Sequence, residues 1–244
     1  MTVLILAAGE PLGENTKPAY PIWLSELEGE LLLERQVKAF EKSGPVVFAF
    51  RQSDIDAFHL ESITRQITGE AALVSIKRET AGAACTALLA ISHIDRDAEL
   101  IVASATDHID ADYGEIIDWF RARGADAGVL TFDSLHPRYS YLKTDAEGWV
   151  LEVAEKRPIS RRANAGFYWY ARGGDFIDSV QQMILKDAEV NGAFYISPSL
   201  NELVLRGLKI ACWELAAEQY HPLKDRHQIA MLEHALEERA RHAQ

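Results

Sequence analysis

The sequence predicts an α/β fold with a mostly parallel sheet, helices on both faces of that sheet and an added antiparallel part. The chain opens on an apolar run, rich in β-branched residues, that starts at Thr2 and is typical of a fully buried strand. Strand-like runs then alternate with amphipathic helical stretches as far as Asp133, a pattern that produces parallel βαβ units. After Asp133 come short extended segments separated by turn residues, which predict antiparallel additions to the sheet.

The individual elements follow from these periodicities. Up to Asp133 the later predicted strands are Pro45–Phe50, Ala72–Ile76, Glu99–Ala103 and Ala127–Asp133, and the predicted helices are Leu31–Lys42, Asp54–Thr68, Thr80–Ile91 and Gly114–Arg123. Beyond Asp133 the predicted elements are the extended segments Tyr139–Thr144, Val150–Glu155 and Ala165–Tyr170, the helices Phe176–Lys186 and Ser199–Arg206, the strand Leu208–Leu215 and the helix Asp225–Arg241. Because no repeat or long linker interrupts this order, we expect one domain over residues 1–244.

Composition and charge exclude several classes of protein. Hydrophobic residues make up 48% of the chain, enough for a sizeable core, and the formal net charge is −12. No run rich in lysine or arginine occurs, so nucleic acid is not an expected partner. The first apolar run is too short for a membrane span and lacks signal-sequence flanks, so we expect no membrane insertion and a cytoplasmic location. Cys85 and Cys212 are expected to be buried free thiols, and the chain is compatible with a homo-oligomer.

The candidate site residues follow strands of the predicted sheet. Ligands of an open α/β sheet bind at the carboxyl ends of its strands. The first strand ends in Ala7-Ala8-Gly9, whose small side chains let backbone N–H groups approach a ligand, and Lys17 follows within one loop. Main-chain donors together with one mobile cation suit a polyphosphate. The same residues are also compatible with a strand, a tight turn and a solvated lysine that bind no ligand.

Other predicted strand ends carry backbone donors, carboxylates, a lysine and an amide that suit a phosphorylated ligand. Small residues from Thr80 to Ala83 open a helix, whose backbone donors favour an anion or a base edge. Asp107 and Asp110 follow the Glu99–Ala103 strand, where a carboxylate could hold Mg²⁺ or simply cap a turn. Glu155-Lys156 ends another strand, and Asn164-Ala-Gly166 opens the next. Each feature alone is commonplace, but together they lie at the edge where a phosphorylated ligand would bind.

The order of these motifs resembles that of the sugar-1-phosphate nucleotidyltransferases, from Met1 to about Gln228. More narrowly, the motifs resemble those of a bacterial subgroup found in surface-polysaccharide biosynthesis. The resemblance rests on Leu-Ala-Ala-Gly at 6–9, Lys-Pro at 17–18, Thr-Ala-Gly-Ala at 80–83, a strand followed by Asp107, Glu-Lys-Arg-Pro at 155–158, Asn-Ala-Gly-Phe-Tyr at 164–168, and the segments His136–Tyr141 and Phe194–Glu202. It implies a Rossmann-like fold with an inserted antiparallel portion, in which about 1–133 binds nucleotide, about 134–228 binds sugar phosphate, and 225–244 is a C-terminal helix.

The resemblance also implies an activity and a role for each motif. In this family the phosphate of a sugar 1-phosphate attacks the α-phosphorus of a nucleoside triphosphate (NTP) and releases pyrophosphate. The implied partners are therefore an NTP and a phosphorylated sugar, with Mg²⁺ as the cofactor. The implied roles are base and ribose binding by Leu6, Ala7, Ala8, Gly9, Thr80, Ala81, Gly82 and Ala83, triphosphate binding by Lys17, metal binding by Asp107, binding of the attacking phosphate by Lys156, and sugar binding by Glu155, Asn164 and Gly166.

Two departures from the family pattern leave other functions open. The first loop, residues 10–16, is short, lacks the family's arginine and contains two acids. Pro222 stands where the resemblance places a second metal-binding aspartate, which leaves Asp225 or Asp110 as substitutes. One alternative is a catalytically weakened module that binds a nucleotide or sugar nucleotide. Another is a cytidylyltransferase that acts on a phosphorylated alcohol or amine. A glycosyltransferase is less well supported, because residues 107–110 do not form an Asp-x-Asp motif.

Overall fold

The computed structural model describes residues 1–9, 20–40, 43–69, 71–223 and 225–242. Its strands in chain order are β1 Thr2–Leu6, β2 Glu26–Leu27, β3 Glu30–Leu31, β4 Val46–Arg51, β5 Ala72–Ile76, β6 Leu100–Ser104, β7 Asp107–Ile109, β8 Ala127–Asp133, β9 Ser140–Thr144, β10 Val150–Glu155, β11 Arg162–Tyr170, β12 Ile210–Glu214 and β13 Tyr220–Pro222. Its α-helices are α1 Leu32–Ala39, α2 Gln52–Phe58, α3 Leu60–Thr68, α4 Ala83–Leu88, α5 Tyr113–Ala122, α6 Gly173–Leu185, α7 Ile196–Leu205 and α8 Arg226–His242.

A nine-stranded mixed sheet forms the centre of the described structure and confirms the predicted fold class. Its main path runs β10-β9-β11-β6-β1-β4-β5, with β8 paired to β11 and β12 paired to β8. Strands β5, β4, β1 and β6 are parallel, and β12 is parallel to β8. Strand β11 runs antiparallel to both β6 and β8, so it is the inserted antiparallel strand between parallel ones.

The hairpin β9–β10 extends the sheet past the carboxyl end of β6. One edge of β11 pairs with β8 along its length, while the other edge pairs with β6 at Phe167–Tyr170 and with β9 at Ala163. The register of β11 against β8 shifts between Asn164 and Tyr168, which is a bulge. Because Glu155 at the end of β10 pairs with Ser140 at the start of β9, the end of β10 also lies beyond β6. This arrangement brings the second half of the chain to the predicted site.

Several element boundaries differ from the sequence prediction. The predicted helix Asp54–Thr68 is two helices, since His59 between them is left-handed with a φ of +52°. The predicted helix Thr80–Ile91 contains only the short α4 and is followed by a 3₁₀ turn at Ile91–His93. Strand β11 starts at Arg162, three residues before the predicted start. Asp107 belongs to the short strand β7, because residues 107–109 pair with β13.

Apolar side chains pack on both faces of the sheet. Alternate residues of β1 point to opposite faces, so Val3 and Ile5 join one cluster and Leu4 joins the other. Trp23 is buried in the first cluster. Cys85 and Cys212 are free thiols that pack against the second cluster, although both are only partly buried. Among the described residues, no helix is both long and apolar enough to cross a membrane.

Candidate active site

A cavity of about 450 Å³ lies at the carboxyl ends of β1, β4 and β5. Six of the eight residues predicted to bind base and ribose line it: Leu6, Ala8, Gly9, Thr80, Gly82 and Ala83. Its wall also carries the charged side chains of Arg51, Lys77, Arg78 and Glu79. A larger cavity of about 640 Å³ lies at the amino ends of the same strands and contains none of the predicted site residues. The smaller cavity occupies the position at which α/β sheets bind ligands.

The other two predicted nucleotide-binding residues support the cavity from behind. Ala7 is buried in the core, and its N–H donates to the Ala49 carbonyl at 3.0 Å. The Ala81 carbonyl accepts a hydrogen bond of 2.7 Å from the Phe194 N–H. Small residues at these positions therefore serve the packing of the wall.

Gly82 is required by the close approach of a second segment of chain. A Cβ built at Gly82 would lie 2.5 Å from the Phe194 carbonyl oxygen, and Gly82 has a φ of +126°. The Thr80 hydroxyl donates to the Gly82 carbonyl at 3.1 Å and shares a hydrogen bond with the Thr86 hydroxyl at 2.6 Å. This glycine thus lines the cavity and also permits contact with the backbone before α7.

Asp107 lies close to the end of β1 and contacts the second half of the chain. It begins β7, two residues after Ala105, whose N–H donates to the Leu6 carbonyl at the end of β1. The Tyr220 hydroxyl is 3.0 Å from Asp107 Oδ1, and Tyr220 is buried. Burial, reinforced by the charge of Asp107, raises the pKa of Tyr220, so its hydroxyl keeps its proton and donates to the carboxylate. The Asp107 side chain therefore has a fixed orientation.

Gly166 makes room for the same carboxylate. A Cβ at Gly166 would lie 2.9 Å from Asp107 Oδ2, and Gly166 has a φ of +79°. It lies in the bulge of β11, and bulges commonly redirect a strand beside an active site. The structure thus brings Asp107 and Gly166 together, as the prediction of a shared site requires.

The two proposed substitutes for a second metal-binding carboxylate, Asp110 and Asp225, lie outside the paired residues of β7 and β13. Pro222 is the cross-strand partner of Asp107. Asp225 precedes α8, and its Oδ1 accepts a hydrogen bond of 2.8 Å from the Gln228 N–H, so it acts as a helix cap. Asp110 is exposed and directly follows β7, and its N–H donates to the Gln219 carbonyl at 2.8 Å. The charge of Asp110 tends to raise the pKa of His108, but burial outweighs this effect and lowers that pKa to about 4.

Glu155 and Lys156 lie at the end of β10. Burial raises the pKa of Glu155 to about 7, although the adjacent Lys156 charge opposes this shift. Lys156 is exposed, and its ammonium group donates to the Tyr195 hydroxyl. The charge of Glu155 and that of Asp107 both act on buried Tyr168, whose pKa is raised mainly by burial. The two acids therefore flank a common region.

Asn164 stabilises the bulge from within. Its side chain is buried, with Oδ1 accepting from the Gly166 N–H at 2.8 Å and Nδ2 donating to the Ser197 hydroxyl at 3.3 Å. The observed role of Asn164 is therefore to shape the backbone that borders Asp107. Its contact with a sugar stays a prediction.

Sequence reasoning missed several side chains of this region. Arg51, Lys77 and Arg78 line the 450 Å³ cavity, and the sequence signal for Lys77 and Arg78 is that two cations directly follow β5. Tyr220 and Tyr195 contact predicted site residues from distant segments, so no local pattern pointed to their roles. Lys17, the predicted triphosphate ligand, lies outside the described residues.

The donor set around Asp107 fits a divalent cation held by few protein ligands. Mg²⁺ usually binds proteins through one or two carboxylates and takes its other oxygens from water and substrate phosphates. Asp107 supplies one such carboxylate, and in the described part of the chain no group of three or more His, Cys, Asp or Glu side chains forms a metal cage. Asp107 is thus suited to a cation that also binds phosphates.

Comparisons with known proteins agree with this geometry. Residues 28–190, about two thirds of the chain, match the family described as nucleotidyl transferase. The protein therefore belongs to the nucleotidyl transferase family and is an enzyme of that type. No curated protein matches the sequence.

Solved structures share the fold at low sequence identity. A nucleoside-diphosphate-sugar pyrophosphorylase from Vibrio cholerae RC9 has a TM-score of 0.76 and 21% identity, over 94% of this chain and 98% of the other. A UDP-glucose pyrophosphorylase complexed with UDP-glucose has a TM-score of 0.76 and 14% identity, over 98% of each chain. A protein from Bacillus anthracis described as a glucose-1-phosphate thymidylyltransferase has a TM-score of 0.74 and 17% identity, over 96% and 94%.

Proposed function

We propose that this protein joins an NTP to a sugar 1-phosphate, giving a nucleoside-diphosphate sugar and pyrophosphate in a reaction that depends on Mg²⁺. The observation that carries the proposal is the position of Asp107. It follows Ala105, which bonds to Leu6 in the wall of the 450 Å³ cavity, and its charge and that of Glu155 both act on Tyr168. Two phosphorylated substrates and a dication would meet there.

The chemistry requires little from protein side chains beyond charge and position. An oxygen of the sugar phosphate attacks the α-phosphorus, the bond to the β-phosphate breaks, and pyrophosphate leaves. The attacking phosphate is already ionised at neutral pH, so no side chain must act as nucleophile or base. Catalysis then consists of bringing two anions together and offsetting the charge that develops at phosphorus.

The described residues divide this work between them. Lys156 would hold the attacking phosphate through a charge-assisted hydrogen bond, and Glu155 would accept hydrogen bonds from sugar hydroxyls. Asp107 would hold the metal, which supplies positive charge between the phosphates when bound. Tyr220 and Gly166 keep the Asp107 carboxylate in place. Lys17, which lies outside the described residues, would contact the triphosphate. The resemblance to a bacterial subgroup supports a role of the product in surface-polysaccharide synthesis.

Pyrophosphate release tests the proposal. The protein is incubated with each NTP, a panel of phosphorylated hexoses and Mg²⁺, and pyrophosphate is measured by a coupled assay. Release that needs both an NTP and a sugar 1-phosphate supports the proposal. Release with CTP and a phosphorylated alcohol or amine, but with no hexose phosphate, would favour the cytidylyltransferase. Tight nucleotide binding without release would favour the binding module.

A further inference from the structure

Lys156 has an unusual backbone conformation for its residue type. Its φ is +55°, in the left-handed region that glycine and asparagine enter more easily. For a residue with a Cβ this conformation costs about 1–2 kcal/mol. The Lys156 N–H donates to the Tyr139 carbonyl at 2.9 Å, which holds the turn after β10. Backbone strain of this kind is frequent at functional sites, and here it sets the direction in which the Lys156 side chain leaves the turn.

The partner of the Lys156 ammonium group is a neutral side chain. It donates to the Tyr195 hydroxyl and lies 4.6 Å from the centroid of the Tyr195 ring. By contrast, Lys38 and Lys186 pair with carboxylates. A tyrosine orients the ammonium group without neutralising its charge, so the charge stays available to an anion.

Tyr195 is itself held by the nucleotide half of the site. The preceding residue, Phe194, donates its N–H to the Ala81 carbonyl and accepts a 3.0 Å hydrogen bond from the Ala84 N–H. Gly82 permits this close approach. Helix α7 begins directly after Tyr195 and continues for 10 residues. The segment 194–195 therefore joins the wall of the nucleotide cavity to the side chain of Lys156.

We propose that Tyr195 is a positioning residue, which holds the Lys156 ammonium group in place for the phosphate of the acceptor substrate. The inference rests on the proposed function. An ammonium group has three N–H donors, so one bond to Tyr195 leaves two for phosphate oxygens. Lysine has a long flexible stem, and immobilising such a side chain on binding costs about 0.5–1.5 kcal/mol. Contact with Tyr195 already restricts the Lys156 side chain before the substrate binds, so less conformational entropy is lost on binding.

Removal of the hydroxyl tests the proposal kinetically. We expect Tyr195→Phe to raise the KM for the sugar phosphate about three- to tenfold, since one hydrogen bond to a cation is lost. Tyr195→Leu removes the ring as well and should raise this KM further, while the KM for the NTP stays within about twofold in Tyr195→Phe. In a Lys156→Ala background, Tyr195→Phe should have no further effect, because its effect passes through Lys156. A lower KM for the sugar phosphate, or full additivity in the double variant, would overturn the proposal.

A second measurement does not depend on turnover. Acylation of lysines with an amine-reactive ester, followed by mass spectrometry, reports how accessible and mobile each side-chain amine is. Contact with the Tyr195 hydroxyl and ring restrains and partly covers the Lys156 amine, so Lys156 should react several-fold faster in Tyr195→Leu than in the unmodified protein. Lys209, whose ammonium group lies 5.2 Å from the Trp149 ring centroid, is the internal control and should not change.

The two readouts separate the possible failures. If Lys156 reacts at the same rate in Tyr195→Leu, Tyr195 does not position it and the proposal is wrong. If the rate changes but no pair of NTP and phosphorylated sugar gives pyrophosphate, the contact stands and the phosphate role assigned to it is wrong together with the proposed function. A Lys209→Ala variant controls the kinetic series, since it removes a lysine with a similar aromatic contact at the amino end of β12.

Discussion

At the scale of single residues, Asp107 is held more tightly than an exposed turn residue would be. Tyr220 donates to one carboxylate oxygen, and a Cβ at residue 166 would crowd the other. Such constraint fixes the rotamer before any ligand binds, which is what precise positioning of a cation requires. Asp112 at the start of α5 differs, because its side chain accepts the backbone N–H groups of Gly114 and Glu115 as a helix cap does.

We expect Asp107→Asn to reduce Mg²⁺-dependent turnover by about a hundredfold or more, chiefly in kcat, while leaving the fold intact. The amide supplies a neutral oxygen where a hard dication needs an anionic one. Tyr220 can still donate to that oxygen, so the unfolding temperature should change little. The matched control is Asp112→Asn, because asparagine caps a helix about as well as aspartate. A normal kcat and an unchanged Mg²⁺ titration in Asp107→Asn would remove Asp107 from the metal site.

The raised pKa of Glu155 makes the stability difference between this protein and Glu155→Gln depend on pH. A pKa near 7 in the folded state means that burial favours the neutral carboxyl. That contribution is fully present below the unfolded pKa of about 4.5 and is lost as pH rises through 7. Glutamine stays neutral, so the free energy of unfolding of Glu155→Gln should gain on the order of 1–3 kcal/mol relative to the parent between pH 5 and pH 8. Denaturant unfolding at both pH values measures the difference, and a difference that is the same at both would show that Glu155 is not buried as described.

At the scale of elements, the ribbon of β7 and β13 decides how many carboxylates border the proposed metal site. Opposite residues of an antiparallel pair have Cβ atoms about 4.5–5.5 Å apart, on the same face. Pro222 is opposite Asp107, so the ribbon presents one carboxylate where an aspartate at residue 222 would add a second.

We therefore expect Pro222→Asp to lower the Mg²⁺ concentration needed for half-maximal turnover, by about tenfold. A second anionic oxygen beside Asp107 adds both a ligand and negative charge. The comparison variant is Pro222→Asn, which has the same shape without the charge and should change the Mg²⁺ requirement much less. If both variants behave alike, residue 222 does not face the cation.

The close contact between Gly82, in the turn before α4, and the Phe194 backbone leads to a separate prediction about stability. Gly82→Ala would place a Cβ against the Phe194 backbone in a conformation that is essentially reserved for glycine, so we expect a loss of more than about 2 kcal/mol in the free energy of unfolding. Gly69→Ala is the matched control, because Gly69 has a φ of +74° and nothing within 4 Å of an added Cβ. It should cost about 1–2 kcal/mol, because only the backbone strain of an L-residue at positive φ remains. Thermal and denaturant unfolding compare the two, and equal losses would contradict the account of the Phe194 contact.

At the scale of the whole molecule, the fold class was predictable because the apolar periodicities are strong. Strands β5, β8 and β10 were predicted with their observed bounds, since each is a run of apolar residues ended by charged or turn residues. The break between α2 and α3 at His59 was missed, because the apolar spacing continues through it. Only the backbone of His59 differs, since its φ is positive. The placement of β7 opposite β13 was missed as well, since pairing across more than 100 residues has no local signal.

The candidate site was predictable in part for the same reason. Residues at strand ends, such as Gly9, Thr80, Asp107 and Lys156, were predicted, because parallel strands bring their carboxyl ends to one edge. Tyr195 and Tyr220 were not predicted, because they act through contacts with distant segments. The hydrogen bond from the Gly166 N–H to the Asn164 side chain, inside the bulge, was not predicted either.

The central claim is that the protein moves a nucleotidyl group from an NTP to a phosphorylated sugar, and the fate of the α-phosphorus tests it most directly. An NTP radiolabelled at the α-phosphorus is incubated with the protein, Mg²⁺ and a sugar 1-phosphate, and the products are separated by chromatography. We predict that the label appears in a nucleoside-diphosphate sugar, that Lys156→Ala abolishes this product at low sugar phosphate, and that Lys209→Ala forms it normally. Label that stays in the NTP, or that appears only as free nucleoside monophosphate with every sugar phosphate tested, would contradict the account.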